Sequence, residues 1–110
     1  MNKEPYKKHF FLLCVCLAAA VIAVYWPVYN YDFIRYDDTD YVTDNIYVQT
    51  GLNWKNIHWA FTTGYASNWH PLTWLSHILD WQLFRNWAGG HHLVNVLFHI
   101  LNTLLLFSVL

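Results

Sequence analysis

The sequence predicts an all-α membrane protein: two transmembrane helices joined by an outward-facing loop with short amphipathic helices lying in the membrane interface. Three observations predict it. The 110-residue chain is 56% hydrophobic and 20% aromatic, too apolar and too rich in tryptophan for an ordinary soluble domain of its size. Two apolar runs of membrane length stand near its ends. The residues between them, 28–92, are neither Gly/Ser-rich nor strongly charged and hold most of the tryptophans.

The first run, residues 10–26, carries no charge, is rich in Leu, Val and Ala, and closes in Tyr25-Trp26-Pro27, an interfacial aromatic anchor followed by a helix stop. It sets a transmembrane helix at residues 10–27. Lys3, Lys7, Lys8 and His9 precede it, and Asp32, Arg35, Asp37 and Asp38 follow, so the Lys/Arg bias places residues 1–9 in the cytoplasm and the loop outside. A signal peptide is the rival reading, but no small-residue cleavage site follows the apolar core. Cys14 and Cys16, two apart in this run, point in different directions on a helix, so the sequence suggests neither a disulfide framework nor a zinc site.

Within the loop, Asn53 can cap a helix over residues 53–62 through Trp54, Ile57, His58 and Phe61. Pro71 suits the first turn of a second helix, residues 71–85, with a Leu72, Leu75, Leu79, Leu83 stripe and Thr73, His77 and Asp80 on a polar side opposite. Residues 62–69 read as irregular loop, and Ala88-Gly89-Gly90 as the break that ends the second helix. The last run, residues 93–110, is only just long enough to span and stops inside a membrane helix, as expected of the front piece of a longer polytopic protein.

Several groups of residues bear on chemistry. Tyr36-Asp37-Asp38-Thr39-Asp40-Tyr41 puts carboxylates shortly after a membrane span, where anionic headgroups repel them; a ligand or proton-handling site and a solvated turn are both open readings. His92, Asn95, His99 and Asn102 recur at a 3-4-3 spacing and form one polar stripe on the second span. Such a stripe either hydrogen-bonds to other helices or lines a substrate or proton path. His70 stands just before a helix start, where unpaired backbone N–H groups favour an anion such as phosphate, or where the ring simply packs. The seven histidines lack the spacing of a zinc or haem site, so no metal and no cofactor is expected. A net charge of −1 with scattered basic residues excludes a nucleic-acid partner.

Taken together, Tyr36-Asp37-Asp38, Tyr41-Val42-Thr43-Asp44-Asn45, Trp59-Ala60-Phe61-Thr62, His70-Pro71-Leu72-Thr73-Trp74-Leu75-Ser76 and Gly90-His91-His92-Leu93-Val94-Asn95 resemble the N-terminal portion of bacterial multi-pass membrane proteins with tetratricopeptide repeats. These are similar to the protein O-mannosyltransferases and, more widely, to C-type glycosyltransferases. The resemblance implies a fragment of a larger polytopic fold in the bacterial inner membrane, with a polyprenyl-phosphate-linked sugar as donor and further transmembrane helices of the parent protein as partners. It implies Asp37 or Asp38 as general base on an acceptor hydroxyl and His70 as a substrate-binding residue beside the lipid phosphate, while the polar stripe itself offers His92 and Asn95 as further substrate-binding candidates. The fold it implies needs more spans than two, so the chain alone is expected to be inactive. The alternative reading is a non-catalytic membrane anchor or assembly module.

Overall fold

A computed structural model describes residues 4–110, and among these every regular element is helical. Lys3, part of the basic start, lies outside the described residues. Helix α1 runs Glu4–Tyr25, starting before the uncharged run and taking Lys7, Lys8 and His9 into its first turns. Pro5 is tolerated there because a first-turn residue needs no N–H, whereas Pro27 cannot continue an α-helix. The chain tightens at that end into a 3-10 segment, Trp26–Asn30.

Helix α5, Ala88–Val109, is the second long apolar helix. Ala88, Gly89 and Gly90 form its first turn and are buried, which corrects the expectation that they interrupt the chain. The break falls earlier, at Arg85, whose backbone turns to φ +52° after α4 ends, and its carbonyl oxygen is 2.9 Å from His91 Nε2. Gly90 is required for a different reason: a Cβ there would run into the ring of Phe84.

The chain divides into two compact units. One holds α1 and the part of α5 from His92 onward, where the helices meet through Phe10 stacked on Phe107 at 5.3 Å and Tyr25 edge-on to His99 at 5.2 Å. Only 6% and 0% of the most apolar stretches of these two helices are buried, so they are not core helices of a water-soluble fold. Both are long and apolar enough to cross a membrane.

The other unit, Asn30–His91, has its own core of Val48, Ala60, Trp74 and Ile78, flanked by Tyr41, Trp59, Leu75 and Trp81. A π-helical turn at Thr39–Thr43 leads to α2, Ile46–Gln49, capped by the Asn45 side chain, which accepts from the N–H groups of Tyr47 and Val48. Gly51, at φ +78°, ends that short helix in the left-handed region. Helix α3, Trp54–Thr62, is capped by Asn53, whose side-chain oxygen accepts from Asn56 N at 2.9 Å. Asn56 is buried and donates to Thr50 Oγ1 and Gly51 O, which ties α3 back to the preceding turn.

Helix α4, Pro71–Phe84, opens at the proline, and within the unit its Leu stripe is not the face that forms the core. Trp74, Ile78 and Asp80 face inward, while Leu72, Leu79 and Leu83 are 75%, 47% and 63% exposed. The indole of Trp74 offers the largest area to bury, and stacking with Tyr41 and packing on Trp59 draw that face into the core ahead of the leucines.

Candidate functional site

The residues with chemistry to offer gather around Tyr41, in the π-helical turn. Its ring stacks on Trp74 at 4.7 Å and an interplanar angle of 16°, and lies 5.5 Å from His70 and 5.7 Å from His77. Its hydroxyl accepts from Asn68 Nδ2 at 3.3 Å, which ties the turn to the segment leading into α4. His70 and His77 are seven residues apart, two helical turns, and so share the side of α4 that meets Tyr41.

Three side-chain nitrogens here are buried without a hydrogen-bond partner among the described residues: His70 Nε2, Trp74 Nε1 and His77 Nδ1. A buried polar atom left unpaired costs about 1–3 kcal/mol, so three on one short stretch of helix mark a place where stability is given up. Burial pushes the His77 imidazole from 6.5 down to about 4, with His91 and His70 adding to the effect and the Asp38 carboxylate opposing it. His77 is therefore a neutral imidazole at physiological pH, able to donate from one nitrogen and accept at the other.

Asp38 is half-buried and sits at the entry of the π-helical turn. Its Oδ2 accepts from Ile34 N at 2.8 Å, which fixes one carboxylate oxygen. Asp37 is exposed, with no hydrogen bond among the described residues. Of the two candidate bases, Asp38 is the one within electrostatic reach of His77. His77 was placed by sequence on a solvent-facing side of its helix and was missed as a site residue; its seven-residue spacing from His70 was the available signal.

His70 also faces an open groove of about 520 Å³ lined by Phe61, Trp69, Pro71, Leu72 and Thr73. This groove is apolar apart from the imidazole and the threonine, and Trp69 is fixed at its edge by donating Nε1–H to Phe61 O at 2.8 Å. The same side chain thus borders an apolar groove on one side and the Tyr41 cluster on the other.

His92 and Asn95 belong to the membrane unit, where with Tyr25, Val28, Val96 and His99 they line a cleft of about 240 Å³. Asp80, on α4, is buried, and desolvation raises its carboxyl from 3.8 to about 6. Among the described residues no group of three or more His, Cys, Asp or Glu side chains could hold a metal ion, and Cys14 and Cys16 are free thiols. Compared with protein-family models, curated proteins and solved structures, the chain finds no match.

Proposed function

We propose that this chain is the front segment of a membrane glycosyltransferase-like protein, contributing the acidic-loop part of a site that moves a sugar from a polyprenyl-phosphate-linked donor to an acceptor hydroxyl. The observation that carries the reading is the double position of His70, bordering both an apolar groove that suits a hydrocarbon chain and a polar cluster that suits a headgroup. In this reading residues 28–92 lie outside the cytoplasmic membrane, as the basic start implies, and the exposed leucines of α4 rest in the interface.

Asp38 is the assigned base. Its carboxylate takes the proton of the acceptor hydroxyl as that oxygen attacks the anomeric carbon. The bond from that carbon to the phosphate oxygen breaks, polyprenyl phosphate leaves with the electron pair, and the anomeric configuration inverts. His70 donates a hydrogen bond to the leaving phosphate, a smaller contribution than a permanent cation would make. Further transmembrane helices of the parent protein complete the donor groove.

A second reading, a non-catalytic anchor or assembly module, is favoured by the Asp38–Ile34 bond, since a carboxylate that closes a turn has a purely structural use. The two separate in membranes carrying the complete parent protein, supplied with a radiolabelled polyprenyl-phosphate hexose. Asp38→Asn is expected to abolish transfer while the protein still inserts. Transfer at the wild-type rate would remove the base role and leave the anchor reading.

A further inference from the structure

One face of α4 enters the core with its polar atoms unfinished. His70, Trp74 and His77 follow one another at intervals of four and three residues, so they stand in a row along that face. Each leaves a buried side-chain nitrogen without a hydrogen-bond partner among the described residues. Trp74 is fully buried, so its indole N–H has no water to turn to. Buried tryptophan and histidine nitrogens ordinarily find partners, and three gaps in a row mark a place shaped for a polar group from outside the chain.

His70 joins this row to the apolar groove, which it also lines. A lipid-linked sugar seated in the groove with its phosphate at His70 carries its next group, the sugar ring, toward Trp74 and His77. The chemistry of the two positions suits hydroxyl groups. Trp74 Nε1–H only donates, whereas the neutral His77 ring donates or accepts at Nδ1 according to its tautomer, and a hydroxyl answers either need. A phosphate in the same place would meet the Asp38 carboxylate within electrostatic reach of His77, with no positive charge on His77 to offset it. Around Trp74, the rings of Tyr41, Trp59 and Tyr65 supply apolar surface for the C–H edges of a sugar.

The nitrogens are closed over in this structure, so entry requires a neighbouring segment to lift. Residues 63–69 are suited to that. Ala66 and Ser67 hold φ of +54° and +61°, a costly conformation for residues other than glycine. Asn68 then reaches the Tyr41 hydroxyl at 3.3 Å, beyond the usual range of such a bond. Hydroxyls that pair the orphaned nitrogens return free energy that the closed form lacks.

Granted the lipid-linked donor proposed above, on which this assignment rests, we infer that Trp74 and His77 read the donor's sugar, hydrogen-bonding its hydroxyls through Trp74 Nε1 and His77 Nδ1 while His70 stays with the phosphate. Both are binding residues that set donor specificity.

The test is calorimetric titration of the full chain, reconstituted into phosphatidylcholine vesicles, with geranyl phosphate and with its glucosyl and mannosyl esters, against blanks of empty vesicles. At least one sugar ester should bind about tenfold more tightly than geranyl phosphate. Trp74→Phe, which keeps an aromatic ring but loses the N–H, and His77→Leu should each remove most of that preference. Geranyl phosphate itself should bind both variants as it binds the wild type, which also reports that they remain folded. Equal binding of all three ligands by the wild-type chain overturns the sugar assignment and leaves the groove reading intact; the orphaned nitrogens would then hold water only. A sugar preference that survives both substitutions overturns it as well. No binding of any of the three would remove the donor reading, and the sugar assignment with it.

Discussion

At the level of single residues, burial shifts groups that would rather be wet. His77 and Asp80 lie three residues apart on α4 and are shifted in opposite senses by the same cause. Between about 4 and 6.5 the unfolded chain holds more protons on His77 than the folded one, so this group makes stability rise with pH across that window. For Asp80 the folded state holds more protons between 3.8 and about 6, so its contribution is complete at low pH and is lost as pH rises through that interval. The two slopes oppose each other. Denaturation of the detergent-solubilised chain at a series of pH values should show Asp80→Asn steepening the rise and His77→Gln replacing it with a fall; unchanged slopes in both variants would contradict the burial assigned to them. The groups facing His77 from neighbouring elements are Asp38, His70 and His91, and Asp38→Asn should lower its titration further by removing the one stabilising charge. His77 was legible only as a polar position. Its burial depends on which side of α4 turns inward, and the sequence alone set no inward side.

At the level of elements, the parts written in local chemistry were the readable ones. The Asn53 cap and first-turn Pro71 announce α3 and α4 because each meets a backbone need at a helix start. Asn53→Ala should cost about 1 kcal/mol, measured as earlier loss of helical signal in denaturant. What stayed hidden was backbone in conformations that no residue type advertises: Ala66, Ser67 and Arg85 all take positive φ without being glycine. The turn between α4 and α5 tests this directly. Arg85→Gly should stabilise the chain by about 1 kcal/mol by relieving that conformation, while Gly90→Ala should destabilise it by forcing Phe84 aside. The rotation of α4 was hidden for another reason. Trp74, Ile78 and Trp81 offer apolar surface beside the leucine stripe, so periodicity gives no single inward side, and the aromatic stack on Tyr41 and Trp59 decides. Trp74→Ala removes the centre of that stack and should cost about 3–5 kcal/mol.

At the level of the whole molecule, two long exposed apolar helices and one helical unit with its own core make a membrane chain of modest internal packing. The membrane spans were the most legible feature, because length and hydropathy are local sums. The Tyr41 cluster was the least, because it draws on residues 38–41, 68–70 and 74–77, which only the fold brings together. The orientation we propose has its own check: with Cys14 and Cys16 replaced by Ala, Thr50→Cys should react with a membrane-impermeant thiol reagent in intact spheroplasts. Reaction only after the membrane is permeabilised would place the loop inside.

The proposed seat of the lipid-linked donor is the groove beside His70, and photo-cross-linking tests it most directly. A polyprenyl-phosphate analogue with a photoreactive group in its first isoprene unit would be irradiated with the reconstituted chain and the labelled peptides mapped. Labelling is expected between Phe61 and Thr73, competed by unmodified polyprenyl phosphate and much reduced by His70→Ala. Labelling confined to α1 and α5, or unaffected by His70→Ala and by competitor, would contradict it.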